Sequence, residues 1–203
     1  TREVAPQLSA LAKLPWNHSL TSLDAWRVFF KAEIGEEGDV AEQAARIFSE
    51  HADSDMMPRP GTWGESGPDD GPGIIRDQCP GASSWEPSLA HYNFVKQFHG
   101  LRKRISNRGA LERFDLWDAH MQFALHVTLV GCDWRKLEAC IDTIPPTNAS
   151  TAPARRTAAQ KCLSQRERLV NSTTQLMNVL LASVASSGTV GTVQNVMQHT
   201  FPL

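Results

Sequence analysis

Apolar residues recur at helical spacing over most of the chain, and no stretch alternates apolar and polar side chains as a half-buried strand does. Thr21-Ser22-Leu23-Asp24 resembles a capping box, a hydroxyl followed three residues later by a carboxylate. Leu23, Trp26, Phe30 and Ile34 then follow at helical intervals, and Gly35 ends the run. Asp39 is placed to cap a second helix with Val40, Ala44, Ile47 and Phe48 on its apolar face. Ser88 is placed to cap a third, carrying Leu89, Tyr92, Phe94, Phe98, Leu101 and Ile105. A fourth helix, from about Leu111 to Val130, is apolar round much of its circumference: Phe114, Leu116, Trp117, Met121, Phe123, Leu125, Val127 and Leu129. Such a helix is expected at the centre, packed on more than one side. A shorter piece around Trp134, Leu137 and Ile141 follows. A final long helix is expected from Ala154 to Ser186, with Cys162, Leu169, Leu176, Val179, Leu180 and Val184 inward and Gly188 as its stop. The pattern predicts an all-α, multi-helix bundle without internal repeats.

Two stretches break the helical period. In MMPRPGTWGESGPDDGPGI, residues 56–74, nine of nineteen positions are Pro or Gly around Trp63, which predicts a long, stiff loop. DTIPPTNASTAP, residues 142–153, is a second loop by composition. The organisation expected is an N-terminal connecting segment over 1–20, the bundle over 21–187 with loops at 56–87 and 142–153, and a C-terminal segment over 188–203.

At 203 residues the chain can bury a substantial core. A formal charge of −2 gives no reason to expect nucleic acid or an anionic membrane as partner. Leu101-Arg102-Lys103-Arg104 reads as a solvated helical face. No apolar run approaches the ~20 residues of a membrane span. The chain begins TREVAPQLSAL, already in mid-pattern, so it is expected to be processed or excised from something larger.

Sequons at Asn17, Asn148 and Asn171 are candidate N-glycosylation sites. Cys79, Cys132, Cys140 and Cys162 contain no C-x-x-C pair and fit two disulfides better than a zinc site. All three connectivities are open. On one unbroken helix, Cys132 and Cys140 would lie about 12 Å apart, too far to bond. Either Gly131-Cys132-Asp133 breaks the helix or each pairs elsewhere. Sequons and cysteines together point to a secreted or luminal protein.

Catalytic chemistry is thin. No nucleophile elbow, phosphate loop, zinc helix or dinucleotide fingerprint occurs, so neither a cofactor nor a metal is expected. His120 and His126 are six apart, face different sides of a helix, and read as structural or surface histidines. Asp115 and Asp118, beside Arg113, read as salt-bridging residues on an exposed flank. Asp69-Asp70 reads as solvated. Trp16, Trp63 and Trp85 lie in Pro-flanked or loop contexts, where a stiffly held indole offers a flat apolar surface to a sugar or plugs a gap over the bundle. Trp26, Trp117 and Trp134 sit at helical spacing and are expected in the core.

The order of several motifs carries a resemblance. Leu14-Pro15-Trp16-Asn17-His18-Ser19-Leu20 precedes the Trp26/Phe30/Ile34-Gly35 helix, and Pro58-Arg59-Pro60-Gly61-Thr62-Trp63 closes on Gly71-Pro72-Gly73-Ile74. Glu112-Arg113-Phe114-Asp115-Leu116-Trp117 and Gly188-Thr189-Val190-Gly191-Thr192-Val193-Gln194-Asn195 follow. This succession resembles the helical region that follows the (β/α)8 barrel in secreted agarase-like glycoside hydrolases, and more loosely that of α-N-acetylglucosaminidases and α-glucuronidases. The resemblance implies that Trp16 and Asn17 lie at the barrel's C-terminal rim, with Arg59, Trp63 and the Gly71-Pro72-Gly73 turn reaching its mouth. It implies as partners a catalytic barrel, as domain or companion chain, and a poly- or oligosaccharide. The barrel and its carboxylates are absent from these residues, so this chain alone is expected to be inactive. A glycan on Asn17 and a pocket-lining role for it exclude one another. The alternative expectation is a secreted, glycosylated structural or interaction bundle in a larger assembly, without hydrolase activity.

Overall fold

A computed structural model describes residues 19–35, 39–51, 79, 90, 92–146 and 152–183. Those residues form helices and connecting turns, and among them no strand occurs. The fold is an all-α bundle, as the periodicity predicts. The long loop and both terminal segments lie mostly or wholly outside the described residues.

Helix α1, Ser22–Ile34, begins at the expected capping box. The Thr21 hydroxyl accepts from the Asp24 amide at 3.2 Å, and the Asp24 carboxylate accepts from the Thr21 amide at 3.0 Å. The reciprocal bonds satisfy two amides that a helix start leaves without partners. Gly35 ends the helix at φ 79°, and its amide donates to the Lys31 carbonyl. A side chain there would be strained by the backbone alone, since nothing lies near its Cβ position.

Helix α2, Val40–His51, packs on α1 through Val40, Ala41, Ala44, Ala45 and Phe48, all buried. Arg27 of α1 forks onto both oxygens of Glu42 at 2.7 and 2.8 Å, a bidentate pair that fixes how the two helices meet.

Helix α3, Asn93–Leu101, runs into a 3-10 turn over Arg102–Arg104. It starts after Tyr92, whereas Ser88 and Leu89, expected at its beginning, lie outside the described residues. Ile105, expected on this helix, is buried beyond the turn.

Helix α4 spans Arg108–Ile141, capped by Asn107, whose side chain accepts from the Ala110 amide at 3.0 Å. It absorbs what the periodicity divides into a helix ending near Val130 and a shorter piece. Gly131-Cys132-Asp133 does not break it, because Gly131 and Cys132 are buried in its packed face. Packing there outweighs a helix penalty of about 1 kcal/mol for glycine. Conversely, the expected single helix from Ala154 is two: α5, Ala152–Lys161, and α6, Leu163–Ala182, meeting at Cys162.

Two cores share α4. Its first half packs with α1, α2 and α3 around Phe29, Phe30, Phe48, Phe98, Phe114 and Trp117. The Phe98 and Phe114 rings stack at 4.6 Å, and Phe30 meets Phe48 at 4.9 Å. Its second half packs Phe123, Val127 and Val130 against Leu176 and Leu180 of α6. This double duty explains the apolar circumference. Trp26 packs against the first core and Trp117 is buried in it, but Trp134 departs from expectation: it is half-buried, its indole N–H donating to Glu138 at 3.0 Å.

The disulfides are Cys79–Cys132 and Cys140–Cys162, with Cα separations of 4.9 and 5.7 Å. With α4 unbroken, each of its two cysteines pairs elsewhere, resolving the alternative posed by their spacing.

Candidate functional site

Four polar side chains of α4 share one row. Asp115, Asp118, Gln122 and His126 stand at i, i+3, i+7 and i+11, an interval set that keeps them on one side of a helix. The elements before α4 supply partners. Arg102 in the 3-10 turn donates to both Asp115 oxygens at 2.8 and 2.9 Å. His99 of α3 places Nδ1 2.7 Å from an Asp118 oxygen.

Asp118 is 8% exposed, which corrects the expectation of an exposed flank. Burial pushes its carboxyl above the ordinary carboxylate range, opposed by the hydrogen bond from His99 and by Gln122. Burial also holds His126 below the ordinary imidazole range, and its Nδ1 has no hydrogen-bond partner among the described residues. His120 points elsewhere: its Nδ1–H donates to the Leu116 carbonyl at 2.8 Å, a turn back along its own helix. Six positions apart on α4, the two histidines face different sides of the helix.

A carboxylate behind a half-exposed imidazole can accept and orient a proton. Among the described residues, however, Asp118 is the hydrogen-bond partner His99 has, and no serine, threonine or thiol joins the pair. The arrangement is a polar clasp between α3 and α4. The neighbouring arginines behave alike: Arg102 holds Asp115 and Arg104 pairs with Asp39, so both arginines of the basic cluster are exposed but paired.

The fully buried Cys79 is bonded to Cys132 on the same helix. It fixes to α4 a point a few residues beyond the Pro/Gly/Trp stretch. Trp16, Asn17, Arg59 and Trp63, the expected saccharide contacts, lie outside the described residues, as does the sequon residue Asn148. Asn171 is described and exposed on α6. Two polar pairings escaped sequence reasoning: exposed His99 with buried Asp118, and the buried pair of Tyr92 and Thr128, whose hydroxyls meet at 2.9 Å. The polar residues interrupting the apolar helix α4 were the available signal, but their partners lie on another element.

No family model matches the chain, and neither a curated protein nor a solved structure does. No described helix is long and apolar enough to cross a membrane. No group of three or more His, Cys, Asp or Glu among the described residues is arranged to hold a metal ion.

Proposed function

We propose that this chain is the helical accessory part of a secreted glycoside hydrolase, a bundle that packs on a catalytic barrel carried elsewhere and shapes its substrate pocket. The reading rests on the resemblance carried by the Leu14–Leu20, Pro58–Trp63 and Gly188–Asn195 segments; the Cys79–Cys132 disulfide is compatible with it, mooring the chain a few residues past position 74 to the longest of the described helices. A bundle clamped in this way is a scaffold from which Arg59 and Trp63, with Trp16 and Asn17, reach a sugar at the barrel's mouth. Indole faces suit the C–H faces of sugars, and a stiff mount lowers the ordering cost of binding. The proton transfers belong to carboxylates of the barrel. Two disulfides without a free thiol among the cysteines support an oxidising compartment.

The test is mass spectrometry of the native, unreduced protein, followed by turnover measurements. A co-purifying barrel polypeptide, or a barrel continuous with this chain, and loss of saccharide turnover in Trp63→Ala support the proposal. A chain that assembles with no barrel, or full turnover in Trp63→Ala, refutes the pocket-shaping role.

A further inference from the structure

We infer that Asn171 carries an N-linked glycan, and that the outward face of α6 is therefore a solvent face of the assembled protein. The inference rests on the secretory reading given above. Ser172, Leu176 and Leu180 are the buried residues of α6, turned toward α4. Asn171 stands one position before this row and is exposed. It heads a second row, Asn171, Thr174, Gln175 and Asn178, at i, i+3, i+4 and i+7, and every member of that row is exposed. Glu167 and Arg168, a turn earlier, extend it and are exposed as well.

The sequon's three side chains divide their work. The hydroxyls of Ser172 and Thr173 both donate to the Leu169 carbonyl, at 3.1 and 2.7 Å, so the folded helix uses them internally. Asn171 is left pointing to solvent in the middle of a polar face, where a bulky, hydrated substituent displaces no packed atom. The transfer occurs on the extended nascent chain, before α6 forms. The Asn171 amide nitrogen attacks C1 of the reducing-end sugar of a polyprenyl-diphosphate-linked oligosaccharide. The C1–O bond breaks, the polyprenyl diphosphate leaves, and the amide nitrogen gives up one proton. The helix then closes with the glycan outward.

A glycan here would stand beside Val170, which is 54% exposed and shares one stripe of α6 with the exposed Leu163 and Leu181.

The full chain, secreted from a eukaryotic host, is mapped as peptides before and after enzymatic release of N-glycans. We expect the Asn171 peptide to bear a glycan and to convert to Asp on release. Asn171→Gln and Thr173→Ala should lose that mass, and Thr173→Ser should keep it. Unmodified Asn171 in a chain whose four cysteines are paired overturns the site while leaving the compartment intact. Unmodified Asn171 together with free thiols overturns the site and the compartment on which both readings rest.

Discussion

Cys79 is joined to Cys132 across 53 residues of sequence, and both side chains are buried. The cross-link holds a distant point of the chain on the second half of α4, beside the residues that pack on α6. Closing a loop of that length removes conformational freedom from the unfolded chain worth about 4 kcal/mol in the chain-entropy account, against about 3 kcal/mol for Cys140–Cys162 across 22 residues. Replacing both Cys79 and Cys132 by Ala should therefore lower the stability more than replacing Cys140 and Cys162. Urea unfolding of the two double variants decides the order, and the reverse ranking would contradict it.

The pairing of Tyr92 with Thr128 sets up a second test. The Thr128 hydroxyl donates to the Tyr92 oxygen at 2.9 Å in a buried setting, pinning the start of α3 to the middle of α4. Tyr92→Phe removes the acceptor and leaves the Thr128 hydroxyl buried without it, at a cost of about 1–3 kcal/mol. Thr128→Val is close in shape and removes the donor. A double-mutant cycle should give a coupling of about 0.5–1.5 kcal/mol, and a coupling of zero would show that the contact does not hold the helices together.

The helices and their inward faces were legible because burial at the i, i+3, i+4 positions is a local pattern. Thr21 and Asp24 formed their capping box, and Phe30, Ile34, Ala44 and Phe48 are buried where the spacing placed them. Helix ends were less legible where tertiary packing overrode local preference. Gly131 remains helical because α6 and the Cys79 cross-link close over that part of α4, whereas Cys162 marks a break that apolar spacing alone passes over. Polar pairs were illegible for a further reason. His99 and Asp118 are 19 residues apart, and nothing in their neighbourhoods specifies which carboxylate a histidine on another helix will meet.

Asp118 and His126 make opposite demands on pH. The Asp118 carboxyl, facing His99, Arg102, Asp115 and Gln122, is raised above its ordinary value of 3.8 because burial disfavours the charged form. The folded state therefore prefers the protonated acid. That preference is fully present below the unfolded value and is lost as pH rises through the folded one. Asp118→Asn is neutral at every pH and keeps an oxygen to accept from His99. It should be more resistant to urea than wild type at pH 7, with the gap closing as pH falls toward 3.8. A gap of the same size at both pH values would exclude burial of the charge as its cause.

For His126 the sign reverses. Burial lowers its value below the ordinary 6.5, so the fold holds the neutral ring while the unfolded chain takes up a proton. Stability from this source is complete above pH 6.5 and is lost as pH falls through the lower folded value. His126→Gln, which cannot take up that proton, should lose less stability than wild type on acidification from pH 7 to pH 5. The comparison isolates His126 because the other titrating groups, Asp118 among them, are common to both proteins, and Glu42, the carboxylate held down to about 2 by Arg27, keeps its charge in the folded state across that interval. Its own contribution is lost only below its unfolded value of 4.5. Parallel acid profiles for wild type and His126→Gln between pH 7 and 5 would mean that the ring titrates as freely as in the unfolded chain, contrary to its half-buried place on α4.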